Sequence, residues 1–217
     1  MKLTVIVPSL NEARSIGLTI MEVKQVVPDA SVIVIDSHST DGTPRIAIDN
    51  GANVMDVPKM GKGRAVRDAI PYLNGDYVVM MDADYTYPAI HIKDVVKSLE
   101  SGADVVLGYR KDKADGSMTF TNKFGNLALS MLASILYGVY VRDVCTGLWG
   151  FRTEALKRLN LTSDRFTLEA DLYISAVKCH CKIGQVPIYY RARMDKPKLK
   201  VRDGFDIGAF LIKGVLH

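Results

Sequence analysis

The fold is decided by Val78-Val79-Met80-Met81-Asp82-Ala83-Asp84-Tyr85-Thr86-Tyr87-Pro88, an apolar run that stops at two carboxylates separated by one small residue. Strands buried on both faces of an α/β sheet are continuously apolar, and ligands of such sheets bind beyond the carboxyl ends of the strands. Residues two apart in a strand point to the same face, so Asp82 and Asp84 can both reach one hard cation such as Mg²⁺, which commonly also binds substrate phosphates. A solvated turn is the alternative, because Asp is common in turns. The apolar strand that leads directly into the pair favours the metal site.

The size and composition are those of one folded globular domain. The chain has 217 residues, of which 48% are hydrophobic and 24% charged, and a domain typically takes about 150 residues. We therefore predict a single domain over residues 1–217. Its apolar stretches are shorter than the roughly 20 residues that a membrane-spanning helix needs.

The cysteines indicate a reducing compartment. Cys145, Cys179 and Cys181 are odd in number, and the chain enters a strand directly, without the features of a signal peptide. A cytoplasmic location is therefore predicted. Zinc binding by Cys179-His180-Cys181 is not expected, because no second pair of ligands lies at zinc-finger spacing.

Positive charge is concentrated near the C-terminus, although the net charge is only +4. A run of this kind is most often a solvated face; otherwise it binds phosphates, anionic lipid headgroups or nucleic acid. Neither an aromatic RNA-binding motif nor a helix-turn-helix pattern accompanies it, so no nucleic acid is expected as a partner. The basic residues are Arg191, Arg193, Lys196, Lys198, Lys200 and Arg202.

Strand-like and helical patterns alternate over the first half, which is typical of β-α-β units and predicts an α/β fold with a mainly parallel sheet flanked by helices. The predicted strands are Leu3–Val7, Ser31–Ile35, Asn53–Val57, Asp76–Asp82, Asp104–Leu107 and Ile183–Tyr190, with extended character from Val139 to Phe151. The predicted helices run from a cap at Asn11 to Val27, from a cap at Thr43, from Gly61, over Pro88–Leu99, over Thr153–Leu159 and over Thr167–Cys179. A polar loop is predicted from Lys111 to Ser117. The nearly uncharged segment from Phe124 to Val141 predicts a helix that lies either in the core or at a membrane interface.

Acidic residues follow three of these strands. Glu12, Asp36 and the Asp82/Asp84 pair are expected at one edge of the sheet, around a crevice of nucleotide size. Asp36 is the candidate acceptor of hydrogen bonds from a ribose or base, while for Asp41 a turn-capping role is an equal alternative.

A glycine-flanked lysine, Gly61-Lys62-Gly63, combines a helix N-terminus with a cation and suits a phosphate. It lacks the flanking glycine and the Ser or Thr of a P-loop, which disfavours NTP hydrolysis. No Gly-x-Gly-x-x-Gly follows the first strand, which disfavours a dinucleotide dehydrogenase.

These motifs resemble, in order and spacing, the nucleotide-sugar half of family 2 glycosyltransferases with the GT-A fold. The matching stretches are Pro8-Ser9-Leu10-Asn11-Glu12, Val34 to Thr43, Gly61-Lys62-Gly63 and Met81-Asp82-Ala83-Asp84. The second half is similar to the dolichyl-phosphate sugar synthases. Its matching stretches are Gly108-Tyr109-Arg110, Arg142 to Arg152, Glu169, Val186-Pro187-Ile188, Arg193 and Lys198-Leu199.

The resemblance implies a nucleotide-sugar-binding half over residues 1–110 and an acceptor half over residues 111–217, the latter with an interfacial helix and a basic C-terminal segment. It implies nucleotide binding by Pro8, Leu10, Glu12, Asp36, Lys62, Asp82 and Ala83. Asp82 and Asp84 would hold Mg²⁺ or Mn²⁺ and, with Arg110, form the catalytic set. Arg110, Lys123, Arg193 and Lys198 would hold the phosphate of the acceptor.

The implied function is an inverting transfer of a sugar from a nucleotide-diphosphate sugar to a polyprenyl phosphate such as dolichyl phosphate. The enzyme would make peripheral contact with the cytoplasmic face of a membrane. Because a phosphate acceptor is already anionic, no general base is needed. The sugar stays open, and a uridine donor is only slightly favoured over a guanosine donor.

Three departures from the family pattern stand out. Tyr85 replaces a frequent Gln, Lys123 replaces a typical Arg, and Pro197 precedes Lys198-Leu199 where a Ser is common. Two alternative functions remain open. One is transfer to a saccharide hydroxyl, for which Asp143 is the nearest candidate base; the other is a non-catalytic subunit that binds a nucleotide sugar.

Overall fold

One sheet takes strands from both halves of the chain in the computed structural model, which describes residues 1–114, 120–194 and 201–215. Within these residues seven strands are joined in the order β3-β2-β1-β4-β6-β5-β7. Their bounds are β1 Leu3–Ser9, β2 Ser31–Asp36, β3 Asn53–Asp56, β4 Tyr77–Met80, β5 Val105–Lys113, β6 Trp149–Arg152 and β7 Ile183–Tyr190.

The direction of the strands brings the functional loops to one edge. Strands β1, β2, β3 and β4 are mutually parallel, β6 is antiparallel to β4 and β5, and β7 is parallel to β5. The carboxyl ends of β1, β2, β3, β4, β5 and β7 and the loop that enters β6 therefore all lie at this edge. The predicted α/β class with a mainly parallel sheet is confirmed.

Helices cover both faces of the sheet. Their bounds are α1 Ile16–Val26, α2 Thr43–Asp49, α3 Lys62–Ala69, α4 His91–Glu100, α5 Phe120–Tyr137, α6 Thr153–Arg158, α7 Leu168–Lys178 and α8 Val201–Lys213, and a short 3-10 helix spans Ile70–Tyr72. Across the described residues, every helix is too short or too polar to pass through a lipid bilayer.

The core consists of two apolar layers, because successive strand side chains point to opposite faces. Val5 and Val79 pack in the layer under α1 and α4, whereas Ile6 and Met80 pack in the layer that also holds residues of α3, α5, α7 and α8. Helix α8 is tied to α5 by a hydrogen bond of 2.8 Å from the Tyr137 hydroxyl to the carbonyl of Leu211. The last described helix is thus part of the second layer.

Several predicted bounds are wrong. Helix α1 begins at Ile16 and not at Asn11, whose side chain accepts a hydrogen bond from the Thr40 backbone (2.9 Å) in a neighbouring turn. Helix α2 has Gly42 and not Thr43 as its N-cap, and α4 begins at His91, three residues after Pro88.

Two predictions about the second half also need correction. Strand β5 continues to Lys113, through part of the predicted loop, because it pairs with β7. The segment 139–148 is not a strand: the Ser134 and Ser130 hydroxyls accept hydrogen bonds from the backbone N–H groups of Val141 (2.9 Å) and Val144 (3.0 Å). Side chains of α5 thus satisfy backbone groups that a neighbouring strand would otherwise satisfy.

Candidate active site

A cavity of about 900 Å³ opens at the carboxyl edge of the sheet and collects most of the predicted site residues. One end is polar and the other is apolar. The predicted residues that line it are Pro8, Leu10, Glu12, Lys62, Asp82, Ala83, Asp84, Arg110 and Arg193.

Two of the predicted residues do not line the cavity. Asp36 is 1% exposed and does not line the cavity; its Oδ1 accepts hydrogen bonds from the hydroxyls of Ser9 (2.9 Å) and Ser39 (2.6 Å). Its neighbour Ser37 lines the cavity instead. Its contact with a nucleotide stays a prediction. Lys123 is exposed at the start of α5 and does not line the cavity, and Lys198 lies outside the described residues.

Lys62 links the first carboxylate of the pair to the second half of the chain. Its Nζ lies 2.5 Å from Asp82 Oδ1 and 2.6 Å from Glu169 Oε1. Burial by itself would lower the pKa of Lys62, but the two carboxylates outweigh it and raise the pKa above its ordinary value. Gly61 makes this placement possible, since its φ of 102° is in the left-handed region and a Cβ there would overlap the carbonyl oxygen of Asp164.

Asp84 is buried, and both of its oxygens are engaged. Oδ1 accepts hydrogen bonds from the backbone N–H (3.1 Å) and hydroxyl (2.5 Å) of Thr86, whereas Oδ2 forms an ion pair of 2.5 Å with Arg193 Nη2. Burial, followed by the nearby charge of Asp82, raises the pKa of Asp84. The carboxylate therefore depends on a cation at Oδ2.

The two carboxylates fit a divalent metal. Each directs one oxygen towards a positive side chain, Lys62 or Arg193, so a cation is already stabilised at both positions. Among the described residues no group of three or more His, Cys, Asp or Glu side chains is arranged to hold a metal. Mg²⁺ usually keeps several waters and shares one or two protein carboxylates with substrate phosphates, so a pair of carboxylates fits such an ion.

Arg110 of β5 forms a buried ion pair with Asp143. Arg110 Nε and Nη2 each lie 2.6 Å from an oxygen of Asp143, and the Arg110 backbone N–H donates a third bond of 3.1 Å. Burial opposes the charge on Arg110, yet Asp143 raises its pKa above the ordinary value. Asp143 is thus fully engaged and does not line the cavity, which speaks against the base that the saccharide alternative requires.

Tyr190 is a site residue that the sequence reasoning missed. Its ring lies 5.3 Å from the Arg110 guanidinium and 5.2 Å from the Tyr87 ring, and its hydroxyl is hydrogen-bonded to Arg193. The sequence carried a signal for it, because Val186, Ile188 and Tyr190 are alternate residues of the predicted strand and therefore share one face. In the structure all three are buried. Tyr190 therefore holds two predicted phosphate-binding arginines together.

Tyr85, the unexplained departure from the family pattern, packs against Arg191. The Arg191 guanidinium lies 4.3 Å from the Tyr85 ring and forms two hydrogen bonds to Glu22, of 2.6 and 2.8 Å. Tyr85 has a φ of 63°, so the turn after the carboxylate pair directs this ring towards the end of β7. The residue joins the two halves of the site and does not line the cavity.

Gly147 is a second missed residue, and it leads to a prediction. A Cβ at this position would overlap Asp82 Oδ2, and its backbone N–H donates a hydrogen bond of 2.6 Å to the Tyr87 hydroxyl. We expect Gly147→Ala to displace the Asp82 carboxylate and lower kcat/KM by on the order of 10²-fold, the cost of a misplacement of about 1 Å. Steady-state kinetics measures the effect. Gly102→Ala, at a turn outside the cavity where a Cβ would meet open space, serves as the control, and equal activities of the two variants would contradict the prediction.

The apolar end of the cavity is formed by α5 and α8. Phe124 and Leu129 of α5 and Phe205 and Ile212 of α8 line it. Helix α5 also exposes large apolar side chains outside this cavity, among them Met131 and Ile135. The polar end with its carboxylates thus continues into an apolar surface of two adjacent helices.

Comparisons with known proteins agree with this architecture. A model of glycosyl transferase family 2 matches residues 4–159. Glycosyltransferase AglJ of Haloferax volcanii is 35% identical over 205 residues, 92% of this chain and 67% of that protein. A dolichyl-phosphate hexose transferase of the same organism is 33% identical over 214 residues, 99% of this chain and 92% of that protein.

A solved structure confirms the fold. Glucosyl-3-phosphoglycerate synthase from Mycobacterium tuberculosis, in complex with Mn²⁺, UDP and glucosyl-3-phosphoglycerate, superposes with a TM-score of 0.79 at 24% identity, over 99% of this chain and 78% of the other. The GT-A fold implied by the sequence motifs is therefore confirmed. The chain belongs to glycosyl transferase family 2 and is a hexosyltransferase similar to the dolichyl-phosphate sugar synthases.

Proposed function

We propose that this enzyme transfers a hexose, with inversion, from a UDP- or GDP-linked sugar to a polyprenyl phosphate such as dolichyl phosphate. The observation that carries the proposal is one cavity with two unlike ends. Carboxylates and cations form the end at the sheet edge, and α5 and α8 form the apolar end. A nucleotide sugar suits the first end, and an acceptor with an anionic head and an aliphatic chain suits both. The dolichyl-phosphate hexose transferase of Haloferax volcanii supports the same acceptor.

The donor would lie between Pro8, Leu10, Ser37 and Asp82, with its diphosphate at the N-terminus of α3. Lys62 is the first residue of that helix, so its ammonium group and the helix dipole would both favour the diphosphate. Asp82 and Asp84 would hold Mg²⁺ or Mn²⁺, which as a Lewis acid offsets the charge that develops on the departing nucleoside diphosphate. The UDP and Mn²⁺ found with the mycobacterial synthase favour a uridine donor.

Arg110 and Arg193 would orient the acceptor. Arg110 lies over the ring of Tyr190 and Arg193 contacts its hydroxyl, so a phosphate placed between them would receive charge-assisted hydrogen bonds from two guanidinium groups. A phosphate oxygen attacks the anomeric carbon from the face opposite the leaving group, and the bond to the nucleoside diphosphate breaks. Because this oxygen is already anionic, the buried Asp143 does not have to remove a proton.

The direct test supplies the purified chain with radiolabelled UDP- and GDP-hexoses, Mn²⁺ and an acceptor. We expect transfer to dolichyl phosphate and none to dolichol, which has the same chain without the phosphate. Preferred transfer to 3-phosphoglycerate or to an oligosaccharide would contradict a lipid acceptor. Absence of turnover with every donor and acceptor would instead favour the non-catalytic subunit.

Removal of the metal gives a second prediction, which needs no turnover. At 100 times its dissociation constant a ligand stabilises a protein by about 2.7 kcal/mol, which for a chain of this size raises Tm by roughly 5–10 °C. We expect UDP with Mn²⁺ to give a shift of this size in a thermal scan and UDP with EDTA to give a much smaller one. A larger shift with GDP would reverse the preference for uridine, and equal shifts with Mn²⁺ and EDTA would contradict a metal on the diphosphate.

Membrane contact is part of the proposal and gives a third prediction. Ile135 and Met131 of α5 are 77% and 56% exposed and do not line the 900 Å³ cavity. If α5 lies on a lipid surface, the double variant Met131→Glu/Ile135→Glu should lower binding to anionic vesicles by at least about tenfold, through lost apolar insertion and added repulsion.

Vesicle co-sedimentation measures this binding. Ile48→Glu is the matched control, since Ile48 is similarly exposed on α2 and is not near α5 in the chain. Equal loss of binding in the two variants would point to a general effect of charge, and unchanged binding in both would contradict contact through α5.

A further inference from the structure

Both carboxylates of the Asp82/Asp84 pair are held by cations that the chain itself supplies. Lys62 forms an ion pair with Asp82, and Arg193 forms one with Asp84. On the basis of the proposed function, we infer that Arg193 is exchanged: it leaves Asp84 when a divalent metal binds and only then becomes available to the acceptor phosphate. The metal would therefore bind before the acceptor.

The exchange follows from how Asp84 uses its oxygens. Oδ1 already accepts two hydrogen bonds from Thr86, at 2.5 and 3.1 Å, which fix the orientation of the carboxylate. Oδ2 is the oxygen left for a metal, and Arg193 Nη2 is 2.5 Å away from it. A divalent ion and a guanidinium group cannot share this buried oxygen without strong repulsion, so binding of the metal displaces Arg193.

Lys62 and Arg193 differ in how firmly they are held. Lys62 has a second carboxylate partner, Glu169, at 2.6 Å, and would stay in place after Asp82 turns to a metal. Among the ion pairs of the described residues, Arg193 has Asp84 as its carboxylate partner; it also contacts the neutral hydroxyl of Tyr190, and the charge of Asp82 acts on it from beyond ion-pair distance. Arg193 is therefore the cation that the metal releases.

The surroundings determine where the released arginine goes. Two residues earlier in the chain, Arg191 is fixed by Glu22, by Tyr85 and by its backbone N–H, which donates to the Thr86 carbonyl (2.9 Å). This anchor keeps the end of β7 in place while the long Arg193 side chain turns. The Tyr190 hydroxyl stays within reach, and Arg110 lies on the ring of the same tyrosine. Arg193 thus moves from a carboxylate towards the position proposed for the acceptor phosphate.

The balance of charge gives this exchange a functional consequence. Before metal binds, Asp82, Asp84 and Glu169 face Lys62 and Arg193, which leaves one net negative charge among these five groups. An anionic acceptor would meet this charge and an arginine that is already paired. After exchange, Arg193 is unpaired at the acceptor position, so metal and acceptor phosphate should bind with positive coupling.

The first test is the affinity for Mn²⁺ alone, measured by isothermal titration calorimetry. Arg193→Gln removes the competing cation and should bind Mn²⁺ about tenfold more tightly than the wild type, whereas Arg193→Lys, which keeps the charge, should stay close to it. Arg45→Gln is the control, because it removes a guanidinium from an exposed ion pair with Asp49 that involves neither Asp84 nor the segment of Arg193. Its affinity should change by less than about twofold.

The second test uses inorganic phosphate as a probe of the acceptor head group, with UDP present throughout. In the wild type, Mn²⁺ should raise the affinity for phosphate by about tenfold, because coupling between two sites is reciprocal. In Arg193→Gln this increase should disappear, because the variant has no arginine for the metal to release. Both measurements read binding and not turnover.

The outcomes separate this inference from the proposed function. If Mn²⁺ binds but Arg193→Gln binds it equally or more weakly than the wild type, the exchange is wrong and the metal site stands. Persistence of the phosphate coupling in Arg193→Gln would also overturn the exchange. If Mn²⁺ binds to neither protein, with UDP or without it, the proposed metal site is wrong and the exchange with it.

Discussion

Asp84→Asn is expected to lower kcat/KM for sugar transfer by about 10³-fold, the largest effect that we predict on activity. The amide keeps the shape of the side chain and can still accept the hydrogen bonds from Thr86. It has no charge, however, so it is a poor ligand for a hard cation and no longer pairs with Arg193. Loss of one preorganised electrostatic contact at a developing charge typically costs 10²–10³-fold, and a weakened metal site adds to this loss.

A second turn of the chain provides a matched control. Asp41 Oδ1 accepts hydrogen bonds from the backbone N–H (3.0 Å) and hydroxyl (2.6 Å) of Thr43, the same arrangement as Asp84 with Thr86. Asp41 does not line the cavity. Asp41→Asn should therefore change transfer by less than about threefold, within the range of surface substitutions. Transfer to dolichyl phosphate by Asp84→Asn at near wild-type rates would contradict the metal mechanism.

The positions of the strands, and the location of the site at the carboxyl edge of the sheet, were predictable because each depends on a short stretch of sequence. The run from Val78 to Met81 is apolar since β4 is buried on both faces, and its end places Asp82 at the carboxyl edge whatever the rest of the chain does. The cavity around Pro8, Glu12, Lys62 and Asp84 follows from the same geometry. The predicted bounds of β7, Ile183–Tyr190, agree with the structure for this reason.

Side-chain partners were not predictable, because they join residues that are far apart in sequence. Lys62 meets Glu169 across 107 positions, and Arg191 meets Glu22 across 169. No local pattern specifies such pairs. The same limit explains the error at residues 139–148, where the α5 hydroxyls of Ser130 and Ser134 hold a segment that has the apolar composition of a strand.

These long-range pairs also connect the two halves of the cavity. Glu169 of α7 holds the lysine expected at the donor diphosphate, and Glu22 of α1 holds the segment that carries Arg193. The first and second halves of the chain share one sheet and are thus joined by ion pairs in and beside the cavity. Changes at the acceptor side are therefore expected to alter donor binding, as the exchange of Arg193 requires.

Asp143→Ala is expected to destabilise the protein by about 3–5 kcal/mol, the largest effect that we predict on stability. The carboxylate is 4% exposed and accepts three hydrogen bonds from Arg110, whose side chain is 8% exposed. Removing one partner leaves a buried charge without compensation, and the cost exceeds the value of the pair itself. The free energy of unfolding in urea measures it. Asp49→Ala breaks an exposed pair with Arg45 and should cost less than about 1 kcal/mol.

A double variant separates the structural role of this pair from its catalytic role. Arg110→Met/Asp143→Leu replaces both charges with apolar side chains of similar volume, and buried pairs replaced in this way often lose little stability. We therefore expect the double variant to regain most of the stability that Asp143→Ala loses. Sugar transfer should stay low, because the guanidinium beside Tyr190, which we propose binds the acceptor phosphate, is gone. Recovery of both stability and activity would show that Arg110 serves only the fold, and the acceptor site would then rest on Arg193 alone.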